Sequence, residues 1–225
     1  MTGILLVGAG GFGREALCWL RDVLPQHPDW SVTGFLDASP TALEGYCKGL
    51  PILGDPATWQ PEPDQKFICA IGDPNIKRRV CEPLEQRGAA FATIVHPTAV
   101  VGCDVRIGDG TVVCPKAVIT TDVRIGKCVT VNVGSTIGHD AEVGDWCTLS
   151  GHAEVTGFAR LQDGVFLGAH AVVLPGVTIG SNTKVAAGSV VYRNARSNTT
   201  LFGAPAKDLY AKAGGTANAS GNTSN

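Results

Sequence analysis

From Val95 to Val191, every sixth residue of this chain is aliphatic, seventeen times in succession. The series opens with Val95, Val101 and Ile107, passes through Ile137, Val143 and Leu149, and closes with Val185 and Val191. The residue two places before each of these is small or β-branched, from Thr93 and Ala99 to Thr183 and Ser189. At about 45% apolar composition such a run arises by chance roughly once in a million trials. A fixed short period marks a stacked array in which each repeat buries its apolar residue against its neighbours. Period six matches neither the helix nor the simple strand, but it matches a β-coil whose flat sides each consume six residues. Gly follows the aliphatic residue at Gly102, Gly108, Gly126, Gly138, Gly144, Gly168 and Gly180, which predicts corners at positive φ. No loop interrupts the period, so any chemistry is confined to the surface or the ends of the resulting prism.

Residues 1–90 follow another pattern. Ile4-Leu5-Leu6-Val7 suits a strand covered on both faces. It runs into Gly8-Ala9-Gly10-Gly11-Phe12-Gly13-Arg14-Glu15, after which Ala16, Leu17 and Leu20 continue at helical spacing. A second strand, Ser31 to Leu36, ends at Asp37, and a third, Phe67 to Ile71, ends in Gly72-Asp73-Pro74-Asn75. Helix is expected from there to Arg87, with Pro83 a kink or break. Strand, glycine turn, helix and a strand ending in an acid form the arrangement of a Rossmann-like nucleotide site. The glycines let the backbone approach a phosphate, and the helix N-terminus supplies partial positive charge. The glycine pattern also fits a tight turn with no ligand. About 90 residues hold only half of a six-stranded dinucleotide fold, which favours a mononucleotide or a nucleotide-linked sugar.

Composition removes several classes of function. Net charge is −2 with no Lys/Arg run longer than the triplet Lys77-Arg78-Arg79, which argues against nucleic acid, since phosphate binding needs clustered cations. No apolar stretch approaches the roughly 20 residues of a membrane span, and the N-terminus lacks signal-peptide features. The eight cysteines form no CxxC pair, so reduced thiols in a cytoplasmic protein are expected. The tail after Lys212 is rich in Gly, Ser, Thr and Asn and is expected to be disordered. The expected division is 1–90 Rossmann-like, 91–212 repeat and 213–225 tail.

The period resembles the hexapeptide-repeat proteins, which implies a left-handed parallel β-helix with three hexads, or 18 residues, per coil. Seventeen hexads then make five to six coils, a prism on the order of 27 Å long at about 4.8 Å per strand spacing. The whole chain resembles the sialic-acid and amino-sugar acyltransferases of bacterial surface-sugar pathways. That resemblance rests on GAGGFGRE at the start, IVHPTAVVG at the first coil, NVGSTIGHD mid-prism, LGAHAVVLPGVTIG, and Gly203-Ala204-Pro205-Ala206-Lys207. It implies acetyl-CoA as co-substrate, a nucleotide-linked 4-amino-deoxy sugar as acceptor, no metal, and a homotrimer. Many relatives carry His where this chain has Phe12.

Five histidines are candidates for the chemistry. His27 reads as surface, and His96, before Pro97, as a structural residue at the first coil. His152 and His170 are 18 residues apart, hence on successive coils; no zinc-type H-x4-H spacing accompanies them. His139 lies off the inward register, and Asp140 follows it, a carboxylate able to orient an imidazole. By resemblance His139 and Asp140 are the catalytic pair, with His139 as general base in direct acyl transfer. The same resemblance places Gly10, Gly11, Phe12, Asp37, Gly72 and Asn132 on the acceptor, and Gly168, Ala169, Ala186, Ala187 and Lys207 on acetyl-CoA. Two other readings stay open here: O-acetylation of a sugar hydroxyl, and a non-catalytic β-helix scaffold.

Overall fold

A computed structural model describes residues 1–46 and 49–208. The N-terminal part is a parallel sheet with strands β1 (Thr2–Val7), β2 (Trp30–Leu36), β3 (Ile52–Gly54), β4 (Gln65–Cys69) and β5 (Ala90–Phe91), in the order β3-β2-β1-β4-β5. Helices α1 (Gly11–Val23) and α2 (Pro74–Gln86) connect the strands. The apolar run of β1 is covered on both faces, as expected. Ile4 and Leu6 join Ala16 and Leu20 of α1, and Leu5 and Val7 join Cys81 and Leu84 of α2. The short strands β3 and β5 carried no signal beyond two or three apolar residues. Pro83 does not break its helix: α2 runs through to Gln86. The missing N–H costs one hydrogen bond, while Cys81 and Leu84 on either side stay fully buried.

Beyond β5 the chain winds into a three-sided parallel β-helix. Face 1 holds Ile94–Val95, Val112–Val113, Thr130–Val131, Thr148–Leu149, Phe166–Leu167 and Lys184–Val185. Face 2 holds Val100–Val101, Val118–Ile119, Thr136–Ile137, Glu154–Val155, Val172–Val173 and Val190–Val191. Face 3 holds Arg106–Ile107, Arg124–Ile125, Glu142–Val143, Arg160–Leu161 and Thr178–Ile179. Register is in steps of 18 throughout, as in Val118↔Thr136 and Thr136↔Glu154. In each two-residue strand the second residue points inward. Ile119, Val131, Ile137 and Val155 are fully buried, each worth roughly 1.5–3 kcal/mol relative to exposure. The first coil is the exception: Val101 stays 39% exposed, because no coil lies beneath it.

The corners differ from expectation. The glycines that follow the inward aliphatics are not the residues at positive φ. They are required by close approach of the next coil: a Cβ on Gly102 would stand 2.5 Å from the Thr120 carbonyl oxygen, and one on Gly138 2.7 Å from the Gly157 nitrogen. Positive φ falls two residues later instead, at every sixth position from Asp104 to Gly188. Most of these are not glycine, and they include Trp146 and Phe158. Left-handed backbone disfavours such side chains. At many corners an inter-coil hydrogen bond holds the conformation, as when Asp140 N–H donates to Thr121 O and Trp146 N–H to Lys127 O.

Face 1 is covered by the N-terminal part. Ile94, Val112, Thr130 and Thr148 point outward yet are buried. His96, read as structural, is buried too, with Nε2 3.1 Å from Asp22 Oδ2 at the end of α1 and Nδ1 2.9 Å from Thr98 Oγ1. Glu85, in the last turn of α2, pairs with Lys127 at 2.9 Å, and Asp73, its N-cap, faces Lys184 at 3.5 Å. The helix therefore lies along the prism with its N-terminus at the level of the later coils. Among the described residues no helix is long and apolar enough to cross a membrane.

Candidate active site

The switch in strand order lies between β1 and β4, so the crevice at their C-terminal ends is where an α/β sheet of this kind opens for a ligand. Gly8 and Gly13 build the turn there. Gly8 has φ +101°, and a Cβ on Gly13 would collide with the Gly8 carbonyl. Gly10, Gly11 and Gly72 are different, since a Cβ on any of them meets nothing within 4 Å. The N-terminus of α1 has no side-chain cap and no acid in its first turn, so its N–H groups and partial charge are available to an anion. By contrast, α2 caps itself: Asp73 Oδ1 accepts from the N–H groups of Asn75 and Ile76. Burial disfavours the Asp73 carboxylate, yet those N–H groups and the Lys184 ammonium outweigh it and hold its pKa below the ordinary value. Asp37 supports the turn, accepting from Ala9 N–H at 2.8 Å and Ser39 N–H at 2.9 Å. Phe12 packs edge-on against Trp19 at the mouth.

This division of the glycines predicts two outcomes. Gly13→Ala should lower Tm sharply in a thermal melt, because only a backbone shift relieves the clash with Gly8. Gly10→Val should keep Tm near wild type and raise the KM for the acceptor, with that for acetyl-CoA unchanged.

His139 and Asp140 sit on the edge between faces 2 and 3. His139 Nδ1 is 2.9 Å from Asp140 Oδ2. With Nδ1–H donating to the carboxylate, Nε2 carries the lone pair, and it has no hydrogen-bond partner among the described residues. The imidazole is 56% exposed. Two residues missed in the sequence reading hold it. Gly157 leaves the space, since a Cβ there would lie 2.7 Å from His139 Nε2. Phe158 meets the ring edge-on, with centroids 5.1 Å apart at 89°. Both lie 18 positions after the dyad, so the coil period itself was the signal that could have found them.

Asn132, Gly168, Ala169, Ala186 and Ala187 sit on the other side of face 2, along the edge it shares with face 1. One protomer therefore does not bring them to His139. Gly168 is buried, and its missing Cβ makes room for Ala187 N at 2.5 Å; it spaces coils rather than opening onto a ligand. Ala169 and Ala187 are exposed, and their N–H groups have no acceptor among the described residues. At some other hexads the N–H at this point is taken by a side chain. Lys127 N–H donates to Asp145 Oδ1, Asp145 N–H to Asp163 Oδ1 and Val133 N–H to Asn132 Oδ1. His152 and His170 stack on the same edge, with centroids 5.0 Å apart and planes at 7°. Lys207 lies at the C-terminal end, where it lines a groove with Arg193 and Arg196. Its segment is tied to this edge by Gly203 N–H donating to Ser189 Oγ.

A prism with a His–carboxylate pair on one edge and bare backbone donors on the next, joined to an α/β sheet with an open glycine turn, has the parts that an acyltransferase of the hexapeptide-repeat class needs. Comparison with known proteins agrees. Residues 3–84 match the PglD N-terminal domain, and residues 158–193 the bacterial transferase hexapeptide (six repeats). The chain belongs to the amino-sugar acyltransferase family that joins these two parts. It is 32% identical over 116 residues to UDP-N-acetylbacillosamine N-acetyltransferase of Bacillus subtilis (strain 168), a match spanning 49% of this chain and half the length of that curated relative. PerB from Caulobacter crescentus, solved with CoA and GDP-perosamine, superposes with a TM-score of 0.82 and 30% identity over 92% of this chain and 97% of its own. The acetyltransferase domain of PglB from Neisseria gonorrhoeae FA1090, solved with acetyl coenzyme A, gives 0.80 and 27% over 92% and 98%.

Proposed function

We propose that this protein is an acetyl-CoA-dependent N-acetyltransferase acting on a nucleotide-linked 4-amino-deoxy sugar. The observation that carries this reading is the His139–Asp140 dyad, with Nε2 unengaged and Nδ1 tied to a carboxylate. In this mechanism Nε2 takes the proton from the acceptor amine as its nitrogen attacks the thioester carbon. The tetrahedral intermediate collapses with loss of the CoA thiolate, and the imidazolium returns its proton to that sulfur. Asp140 holds the ring in one tautomer and stabilises the imidazolium. Such a base contributes about 10²–10⁴-fold.

The open glycines at 10, 11 and 72, with the uncapped N-terminus of α1, would receive the nucleotide phosphates. Asn132 would contact the acceptor sugar. The free N–H groups of Ala169 and Ala187, one coil apart, would donate to the pantetheine arm, and Lys207 would meet the phosphates of CoA. Because the dyad and these donors lie on opposite edges of face 2, the working site needs the dyad of one subunit and the donor edge of the next. A C3 homotrimer supplies that arrangement and closes on itself. Face 2 suits such contact: Val100, Val118, Val172 and Val190 point outward from it, Val100 at 60% exposed.

Labelled acetyl-CoA offered with UDP-, dTDP- and GDP-linked 4-amino sugars, and with the matching 4-hydroxy sugars, tests the reading. The expected result is amide product from one amino sugar. Transfer to none of the amines, or only to hydroxyls, would overturn it.

A further inference from the structure

Lys77 is fully buried, on the first turns of α2, and the mechanism above does not use it. Its ammonium meets four oxygens of the β-helix. Thr130 Oγ1 and Cys128 O lie at 2.9 and 3.0 Å, and Thr148 Oγ1 and Cys147 O at 2.9 and 3.2 Å. The first two belong to one coil and the second two to the next, since Thr130 pairs with Thr148. No carboxylate is among its partners. Desolvation lowers the Lys77 pKa, opposed by the surrounding thiols of Cys69, Cys128, Cys147 and Cys81. A buried ammonium with no carboxylate partner is a costly way to fasten two layers, because packed apolar residues of the same volume do so at least as well. What a buried polar contact adds is selection among alternative registers.

The alternatives here are discrete. The outward residues of face 1 run Ile94, Val112, Thr130, Thr148, Phe166, Lys184 along the axis. Slipping α2 by one coil would set the Lys77 ammonium between Val112 and Thr130, or between Thr148 and Phe166. Either slip removes one of the two hydroxyls. We propose that Lys77 is a positioning residue that locks the N-terminal sheet to a single axial register on the β-helix. Through Gly72 and Asp73 it thereby fixes where the acceptor sugar is presented along the prism. Asp73 is held at the coil of Lys184, which is also the coil of Ala186 and Ala187. One coil is about 4.8 Å, and a misplacement of only about 1 Å can cost 10²-fold in rate. The effect on rate rests on the proposed transferase activity; the register itself does not.

The test replaces all three side chains at once, Lys77→Met/Thr130→Val/Thr148→Val, so that neither hydroxyl is left unpaired; Cys147 O keeps the Thr130 N–H, and the Cys128 carbonyl alone loses its partner. Spin labels on ketone-bearing residues at the exposed positions Arg79 and Gln162, which spare the native thiols, report the distance between α2 and the prism. The expected result is a narrow distribution in the wild-type frame that broadens, or shifts by about one strand spacing, in the triple variant. An unchanged distribution would overturn the proposal, whatever the transfer assay gives. In that assay the triple variant should keep both KM values and lose about 10²-fold in kcat; wild-type kcat would show Lys77 to be packing alone. Should the triple variant fail to fold, Thr148→Ser and Thr148→Val are compared, since serine keeps the hydroxyl. Serine should retain much more of kcat than valine, and equal values would overturn the proposal. A wild-type protein that acetylates no amine defeats the proposed function and leaves the distance measurement standing as the test of the register.

Discussion

His139→Asn should fold as the wild type does and lose about 10²–10⁴-fold in kcat, with either KM little changed. The fold is safe because the ring is more than half exposed and lies outside the inward stripe. Ring edge contact with Phe158 is the packing that the substitution gives up. Asn keeps a polar side chain near Asp140 but has no nitrogen lone pair to accept a proton. Circular dichroism and thermal melts establish the fold, and steady-state kinetics with both substrates separate kcat from KM. Asp140→Asn should be milder, since the base survives while its tautomer is no longer enforced. Wild-type turnover in His139→Asn would end the mechanism and leave the fold untouched.

The period of six made the prism legible, because an inward residue every sixth position is a one-dimensional code that no tertiary contact can rewrite. The corners were not legible in the same way. Trp146 and Phe158 adopt left-handed backbone with no compositional mark, since inter-coil hydrogen bonds to Lys127 O and His139 O, not side-chain identity, hold them there. The glycines that looked like corner residues turned out to be spacers, a distinction set by the distance to the next coil. His139 could be singled out because an adjacent carboxylate is visible in one dimension. Its supports Gly157 and Phe158 were visible only once the chain was ruled into rows of 18. The same ruling exposes the donor edge. Lys127 finds Asp145 one coil on, whereas Ala169 has only Ala187 there, and no side chain to fill its N–H. Lys77 was beyond reach. On an amphipathic helix it reads as one more solvated lysine, and its partners are 51 to 71 residues away.

The division of the site between two edges has a consequence that needs no structure to check. His139→Asn removes the base from one edge, and Ala187→Trp should block the donor edge by filling the approach to its N–H. Each variant alone should fall to about 1% of wild-type activity or less. If the site joined residues of a single subunit, mixing the two would yield nothing, because every chain would carry a broken site. If each site takes its dyad from one subunit and its donors from the next, co-expression at equal levels makes mixed rings. In a cyclic assembly with random mixing, a quarter of the junctions pair an intact dyad with an intact donor edge, so activity should return to about 25% of wild type. Differently tagged chains, purified through both tags in turn, leave only mixed trimers, each with one intact junction of three, so activity there should be about a third of wild type. Activity that stays at the level of the separate variants would place the whole site within one chain. The outward valines of face 2 would then need another explanation.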